Sequence, residues 1–185
     1  MVRILIIFLL FCINFSVRSQ YEPQISMHYS GQLSVNPAFA GSSGNINLAA
    51  VSRQQWVGFD GAPNTTVAGV DGAIKVFDRF HGFGLVILND EIGAFNTLMI
   101  NINYAYRIEL QKGELGLGLK LGMINTKYDG SKLNPSAGQS PDDYHQENDD
   151  AILKSNASGS APDFGFGAHY QSAKFYAGVS VTHLN

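Results

Sequence analysis

TLMININYAYRIELQ, residues Thr97 to Gln111, alternates almost without a break. Leu98, Ile100, Ile102, Tyr104, Tyr106, Ile108 and Leu110 share one parity; Met99, Asn101, Asn103, Ala105, Arg107, Glu109 and Gln111 share the other. A strand points successive side chains to opposite faces, so this one has an apolar face and a polar face. It is longer than a typical soluble strand, and tilted it is long enough to cross a bilayer. The expected fold class is all-β, an antiparallel barrel of the outer-membrane type.

The start of the chain agrees. In MVRILIIFLLFCINFSVRSQ, Arg3 supplies a positive region, Ile4 to Ile13 an apolar run and Val17-Arg18-Ser19 a small-residue cleavage site before Gln20. That is the layout of an export signal over residues 1–19, too short and too quickly followed by Asn14, Ser16 and Arg18 for a membrane span. The single cysteine, Cys12, lies in this leader. Leu9 stands three residues before it, as in a lipid-attachment site, but bulky Phe11 argues against that cleavage. The exported chain is therefore expected to lack disulfide and thiol chemistry.

Charged residues make up 15% of the chain and the net charge is −3, below the globular norm of about a quarter charged. No clustered basic surface suggests a nucleic-acid partner. No later stretch is apolar for long enough to be a transmembrane helix, which leaves a closed barrel as the way into a membrane.

Seven strands are predicted, at about Ile46–Trp56, Thr65–Phe77, Gly82–Asn89, Thr97–Leu110, Leu115–Lys127, Asp163–Gln171 and Phe175–Leu184. No segment has helical periodicity with caps. The expected division is a leader (1–19), an N-terminal periplasmic or turn segment (20–45) and a barrel portion (46–185). Connections are expected to alternate, tight at Asp78–His81, Gln111–Glu114 and Ser172–Lys174, longer at Val57–Asn64, Asp90–Asn96 and Tyr128–Pro162. Outer-membrane barrels sort their loops this way, with short periplasmic turns and longer external loops. Lipid-facing charge is costly, so Asp71, Lys75, Arg107, Glu109 and Lys120 should point into the lumen. Consecutive Arg53, Gln54 and Gln55 predict a bulge or an end in the first strand. Phe83, Tyr104, Tyr106 and Phe175 are placed toward the periplasmic rim and Trp56 and Phe59 near the external rim, where amphipathic rings favour the interface. Bacterial barrels have even strand numbers, and the chain stops at His183-Leu184-Asn185 in or just after a strand. The expectation is a C-terminally truncated, incomplete barrel of about seven to eight strands.

Chemistry-bearing patterns are few. His28, His81, His145, His169 and His183 lack metal-ligand spacing, and neither a nucleophile elbow nor a phosphate loop occurs. His145 stands near Asp142, Asp143 and Glu147 with nothing to orient an acid–base pair. The external loop 128–162 holds the run DDYHQENDD, which lacks EF-hand spacing and reads as a solvated surface loop. No enzyme activity, cofactor or metal is expected.

Three phrases occur in order: SVNPAFAGSSG (Ser34–Gly44), RQQWVGFDGAPNTT (Arg53–Thr66) and GLVILNDEIGAFNT (Gly84–Thr97), followed by INYAYRIEL. Together they resemble the PorP/SprF family of outer-membrane proteins from the type IX secretion and gliding-motility machinery of Bacteroidetes. The resemblance implies a non-enzymatic outer-membrane component that helps export or surface-anchor adhesin-type cargo. The implied partners are outer-membrane lipid, other secretion components and the C-terminal domains of cargo. A small-solute channel on the same scaffold is the alternative. Turn chemistry around Asp60-Gly61-Ala62-Pro63 and Asp90-Glu91-Ile92-Gly93 makes Trp56, Phe59, Asp60, Asp90 and Glu91 the candidate rim surface for a partner. Single cysteines along Leu98–Leu110 test the membrane reading. In native membranes a water-soluble maleimide should not react at Ile100→Cys or Ile102→Cys, and free reaction at both parities would exclude lipid contact.

Overall fold

The alternation read in Thr97–Gln111 recurs in the long strands, and it builds one sheet. A computed structural model describes residues 28–132 and 155–184. Seven strands follow in chain order: β1 (Asn47–Gln54), β2 (Asn64–Val76), β3 (Arg79–Ile92), β4 (Phe95–Leu110), β5 (Gly113–Tyr128), β6 (Ala157–Gln171) and β7 (Tyr176–Val181). Each pairs antiparallel with the next, so the order in the sheet is the order in the chain and β1 and β7 form its two edges. The sheet curves into a half-barrel. Among the described residues no helix is long and apolar enough to cross a membrane.

The two faces differ as predicted. Leu85, Ile87, Ile100, Ile102, Leu117, Leu119, Leu121, Phe164 and Phe166 stand exposed on the convex face. On the concave face Asp71, Asn101, Asn103, Arg107, Lys120, Asp163 and His169 are buried. In a soluble protein the assignment is the reverse, apolar in and polar out. So continuous an exposed apolar surface needs lipid or a partner against it.

Several boundaries differ from the expectation. The segment Asp90–Asn96 is not a long loop: β3 and β4 run on until Ile92 pairs with Phe95, leaving a two-residue turn at Gly93-Ala94. Polar NDE and FN do not alternate in hydropathy, but pairing continues through them because the ladder satisfies their backbone groups. β6 starts at Ala157 rather than Asp163, with Ala157 paired to Tyr128. Pro162 lies in a part of β6 that the β7 ladder does not reach, which is where a strand tolerates a residue without an N–H. β1 ends at Gln54, and Trp56 takes a left-handed φ of 53° that ends the extended run. The leader, and the residues of the acidic loop from 133 to 154, lie outside the described residues, and with them the DDYHQENDD run and His145.

The largest departure is helical. His28–Val35 forms a helix, α1, and after Asn36 comes a 3-10 turn, Pro37–Phe39. HYSGQLSV has no acidic residue in its first turn and no basic residue in its last, so neither capping charge nor periodicity marks it. Packing decides it instead. The core of the protein, Leu33, Ala40, Val67, Val86, Leu88 and Ala105 with Phe39 and Met99 against it, lies on the concave face between this segment and the strands.

Glycines make that contact possible. A Cβ on Gly118 would overlap the backbone of Pro37 and Ala38, one on Gly82 would overlap the Ala40 carbonyl, and one on Gly167 would overlap the Asn36 amide. On Gly116 it would stand 2.6 Å from the Ala38 oxygen. The small parity of GELGLGLKLG is thus a floor on which another backbone rests. Gly118→Val should therefore destabilise the protein by about 1–3 kcal/mol or more. Gly159→Val, where nothing lies within 4 Å, should cost far less. Denaturation midpoints in detergent compare the two.

Candidate functional site

The concave face carries an assembly built on Asn36–Gly41. Asn36 is the N-cap of the 3-10 turn: its Oδ1 accepts from the Ala38 N–H at 2.9 Å, and Pro37 occupies the first position of the turn, where a missing N–H costs nothing. The other end of the Asn36 amide crosses to the sheet, donating to the Ala168 carbonyl at 3.1 Å. Ser180 Oγ on β7 donates to the Val35 carbonyl at 2.9 Å.

Two charged side chains hold the segment from the strands. Arg107 on β4 donates through one terminal nitrogen to the Ala40 carbonyl at 2.9 Å and lies 3.4 Å from that of Ala38. Its Nε pairs with Glu114 on β5. Asp71 on β2 accepts from the Gly41 N–H at 2.8 Å, and Asn47 on β1 lies 3.3–3.4 Å from both carboxylate oxygens. Hydrogen bonds to charged partners are the stronger kind, and the two charged side chains that hold the segment are shielded from water: Arg107 is 3% and Asp71 7% exposed. Phe39 meets the ring of His169 edge-on, with centroids 5.5 Å apart.

Beyond the segment on the same face, Lys120 Nζ and Asp163 Oδ2 form an ion pair at 2.9 Å, and His183 Nδ1 lies 3.1 Å from the other carboxylate oxygen. Lys120 is 3% exposed and Asp163 not at all.

Of the charges expected in a lumen, Asp71, Arg107 and Lys120 are buried on the concave face and engaged with the protein itself. Lys75 and Glu109 share their parity but are exposed at the strand ends, because the strands outrun the segment that fills the concavity. Lys75 instead pairs with Asp78 at 2.8 Å in the adjoining turn.

The predicted rim residues divide as well. Trp56, Phe59 and Asp60 share the connection between β1 and β2, and Trp56 and Phe59 are 66% and 76% exposed. That connection is organised by backbone bonds from Phe59 to Trp56 and from Ala62 to Phe59, and Gly93 donates to the Gly61 carbonyl at 2.9 Å, tying it to the next turn. Glu91 is exposed and accepts from Asn96 Nδ2 at 2.7 Å. Asp90 is not a rim residue. With β3 extended, alternation turns it to the concave face beside Leu88, where it is 5% exposed and accepts from Thr65 Oγ1 at 2.5 Å.

Asn36, Phe39, Glu114, Asp163 and His169 were not singled out from sequence for this role. Asn36-Pro37 did carry a signal, being an N-cap followed by proline, but it reads equally as a turn before the first strand. Asp163 stands at the expected start of β6, where nothing in the sequence marks its pairing with Lys120 across the β5–β6 ladder. Among the described residues no group of three metal-ligating side chains converges. The arrangement is one of structural anchoring: it pairs and buries charge against the Asn36–Gly41 segment and between neighbouring strands.

Breaking the Lys120–Asp163 pair should be costly. Asp163→Asn leaves an uncompensated buried ammonium and should lower stability by about 3–5 kcal/mol, whereas Lys120→Met with Asp163→Leu should recover much of the loss. Unfolding curves of the three proteins measure the difference.

A family model described as type IX secretion system membrane protein PorP/SprF matches residues 17–185. No curated protein and no solved structure matches the chain.

Proposed function

The chain belongs to the PorP/SprF family of type IX secretion system membrane proteins, and from that premise we propose that it resides in the outer membrane, where it helps export or surface-anchor adhesin-type cargo. The observation that carries the location is the exposed apolar convex face, with Leu85, Ile87, Ile100, Ile102, Leu119, Leu121 and Phe164 side by side on neighbouring strands. A curved sheet with an apolar outside and buried charge inside is what a bilayer selects. The export signal over residues 1–19 brings the chain there.

The role is that of a non-enzymatic component. It works beside other parts of the secretion apparatus and engages cargo C-terminal domains. Trp56, Phe59, Asp60 and Glu91 are the proposed rim contacts, because an exposed tryptophan and phenylalanine on one short connection bring contact area at low entropic cost. In a gliding organism the cargo includes the adhesins of motility. The small-solute channel has less support, since Asp71, Arg107 and Lys120 are each buried and already engaged within the protein.

Deleting the full-length gene should leave adhesin cargo in the periplasm or free in the medium, and normal surface display in the deletion strain would refute the assignment. Trp56→Ala with Phe59→Ala should lower display while barrel abundance in the outer membrane stays unchanged. If abundance falls in parallel, the two rings serve only the structure.

A further inference from the structure

Beside the Asn36–Gly41 segment the concave face is not filled. Two cavities of about 310 and 220 Å³ lie between the helical segment and the strands. Gln32 and Phe39 from the helical segment, His169 from β6 and Tyr176 from β7 line both, so the two adjoin as one cleft. The larger cavity is in the size range of small-molecule sites, and Asn47, Asp71 and Gln171 add to its wall. His169 is the side chain there that packing leaves unexplained. It is 5% exposed, and neither ring nitrogen has a hydrogen-bond partner among the described residues. Phe39 meets it edge-on, and the Tyr176 ring lies 6.2 Å away, tilted by 33°. A buried polar group without a partner is a cost that aromatic contact does not offset, and a phenylalanine would fill the same space without it.

The lining determines what would complete the imidazole. Uncharged, it carries one donor and one acceptor, and the amides of Gln32, Asn47 and Gln171 also carry both kinds. A hydroxyl matches each of them, being donor and acceptor at once. No lysine or arginine lines either cavity, and Asp71 adds negative charge, so an anion is disfavoured. Phe39 and Tyr176 offer electron-rich ring faces to C–H surface. We infer that this cleft is a binding site for a neutral sugar ring, with its hydroxyls on His169, Gln32 and Gln171 and its C–H face on Tyr176. Both imidazole nitrogens are shielded from water, and Tyr176, which is 58% exposed, is the side chain that turns aside to admit a hydroxyl to them. The inference goes beyond the secretion role and does not depend on it, because the cleft is made by the packing of the helical segment on the sheet.

The test is saturation-transfer NMR on the full-length protein in a detergent without a sugar headgroup, with glucose, galactose and N-acetylglucosamine as probes. At least one of them should receive transfer at its ring protons. His169→Phe, Tyr176→Ala and Gln171→Ala should each weaken its binding about tenfold. Val179→Ala, on the opposite parity of β7 and exposed on the convex side, should leave it unchanged. Because the His169 nitrogens have no partner to lose, His169→Phe should keep the denaturation midpoint of the native protein or raise it. Absence of transfer to all three sugars overturns the inference, as does binding that Tyr176→Ala and Gln171→Ala leave intact. Transfer to choline in place of the sugars also overturns it, since the rings and Asp71 would then hold a cation. Should His169→Phe not fold, Tyr176→Ala and Gln171→Ala, both at exposed side chains, decide alone.

Discussion

The close approach of one backbone to another on the concave face is the constraint from which most of this structure follows. A strand residue with any side chain would hold a crossing chain several ångströms away. At Gly82, Gly116 and Gly118 that distance is gone, and the Asn36–Gly41 segment settles onto the sheet itself. Once there, its peptide groups are cut off from water and must find partners. Arg107 and Asp71 supply them, which explains why a membrane-type sheet tolerates buried charge at those places and why each charge faces a peptide group rather than open solvent.

The same contact relocates the hydrophobic core. In a soluble sheet the core lies under the apolar parity. Here the apolar parity is outside, and the packed core of Leu33, Phe39, Ala40, Val67, Val86 and Leu88 lies among inward residues that the helical segment covers. One sheet thus carries an exposed apolar convex face and a concave face covered by protein. The Lys120–Asp163 pair extends the filling beyond the segment with charge instead of apolar bulk, and such a pair specifies a fixed arrangement more than it adds stability.

The ends of the barrel wall are decorated differently from its middle. At one end the β2–β3 turn places Phe77 and Asp78 at positive φ, a primed two-residue hairpin geometry that glycine and asparagine adopt most easily. At the other, the connection after β1 holds Trp56 at positive φ with Phe59 beside it in solvent. There Asp129 accepts from the Ser131 hydroxyl and amide, which holds its carboxyl below the usual range. None of these features is required by the sheet.

The all-β class, the antiparallel meander and the shared parity of Asp71, Arg107 and Lys120 with other polar residues are legible in the order of residues, because a period of two is a local property and needs no knowledge of what lies across the sheet. The family was legible too, in SVNPAFAGSSG and RQQWVGFDGAP. Tertiary structure alone decided that SVNPAFAG leaves the wall and fills it, that α1 forms from a stretch with no helical signature, that Asp90 turns inward and that Lys75 and Glu109 stay in water. Those outcomes depend on which backbones approach across dozens of residues of chain, and a glycine in a strand looks the same in sequence whether the space above it is empty or occupied.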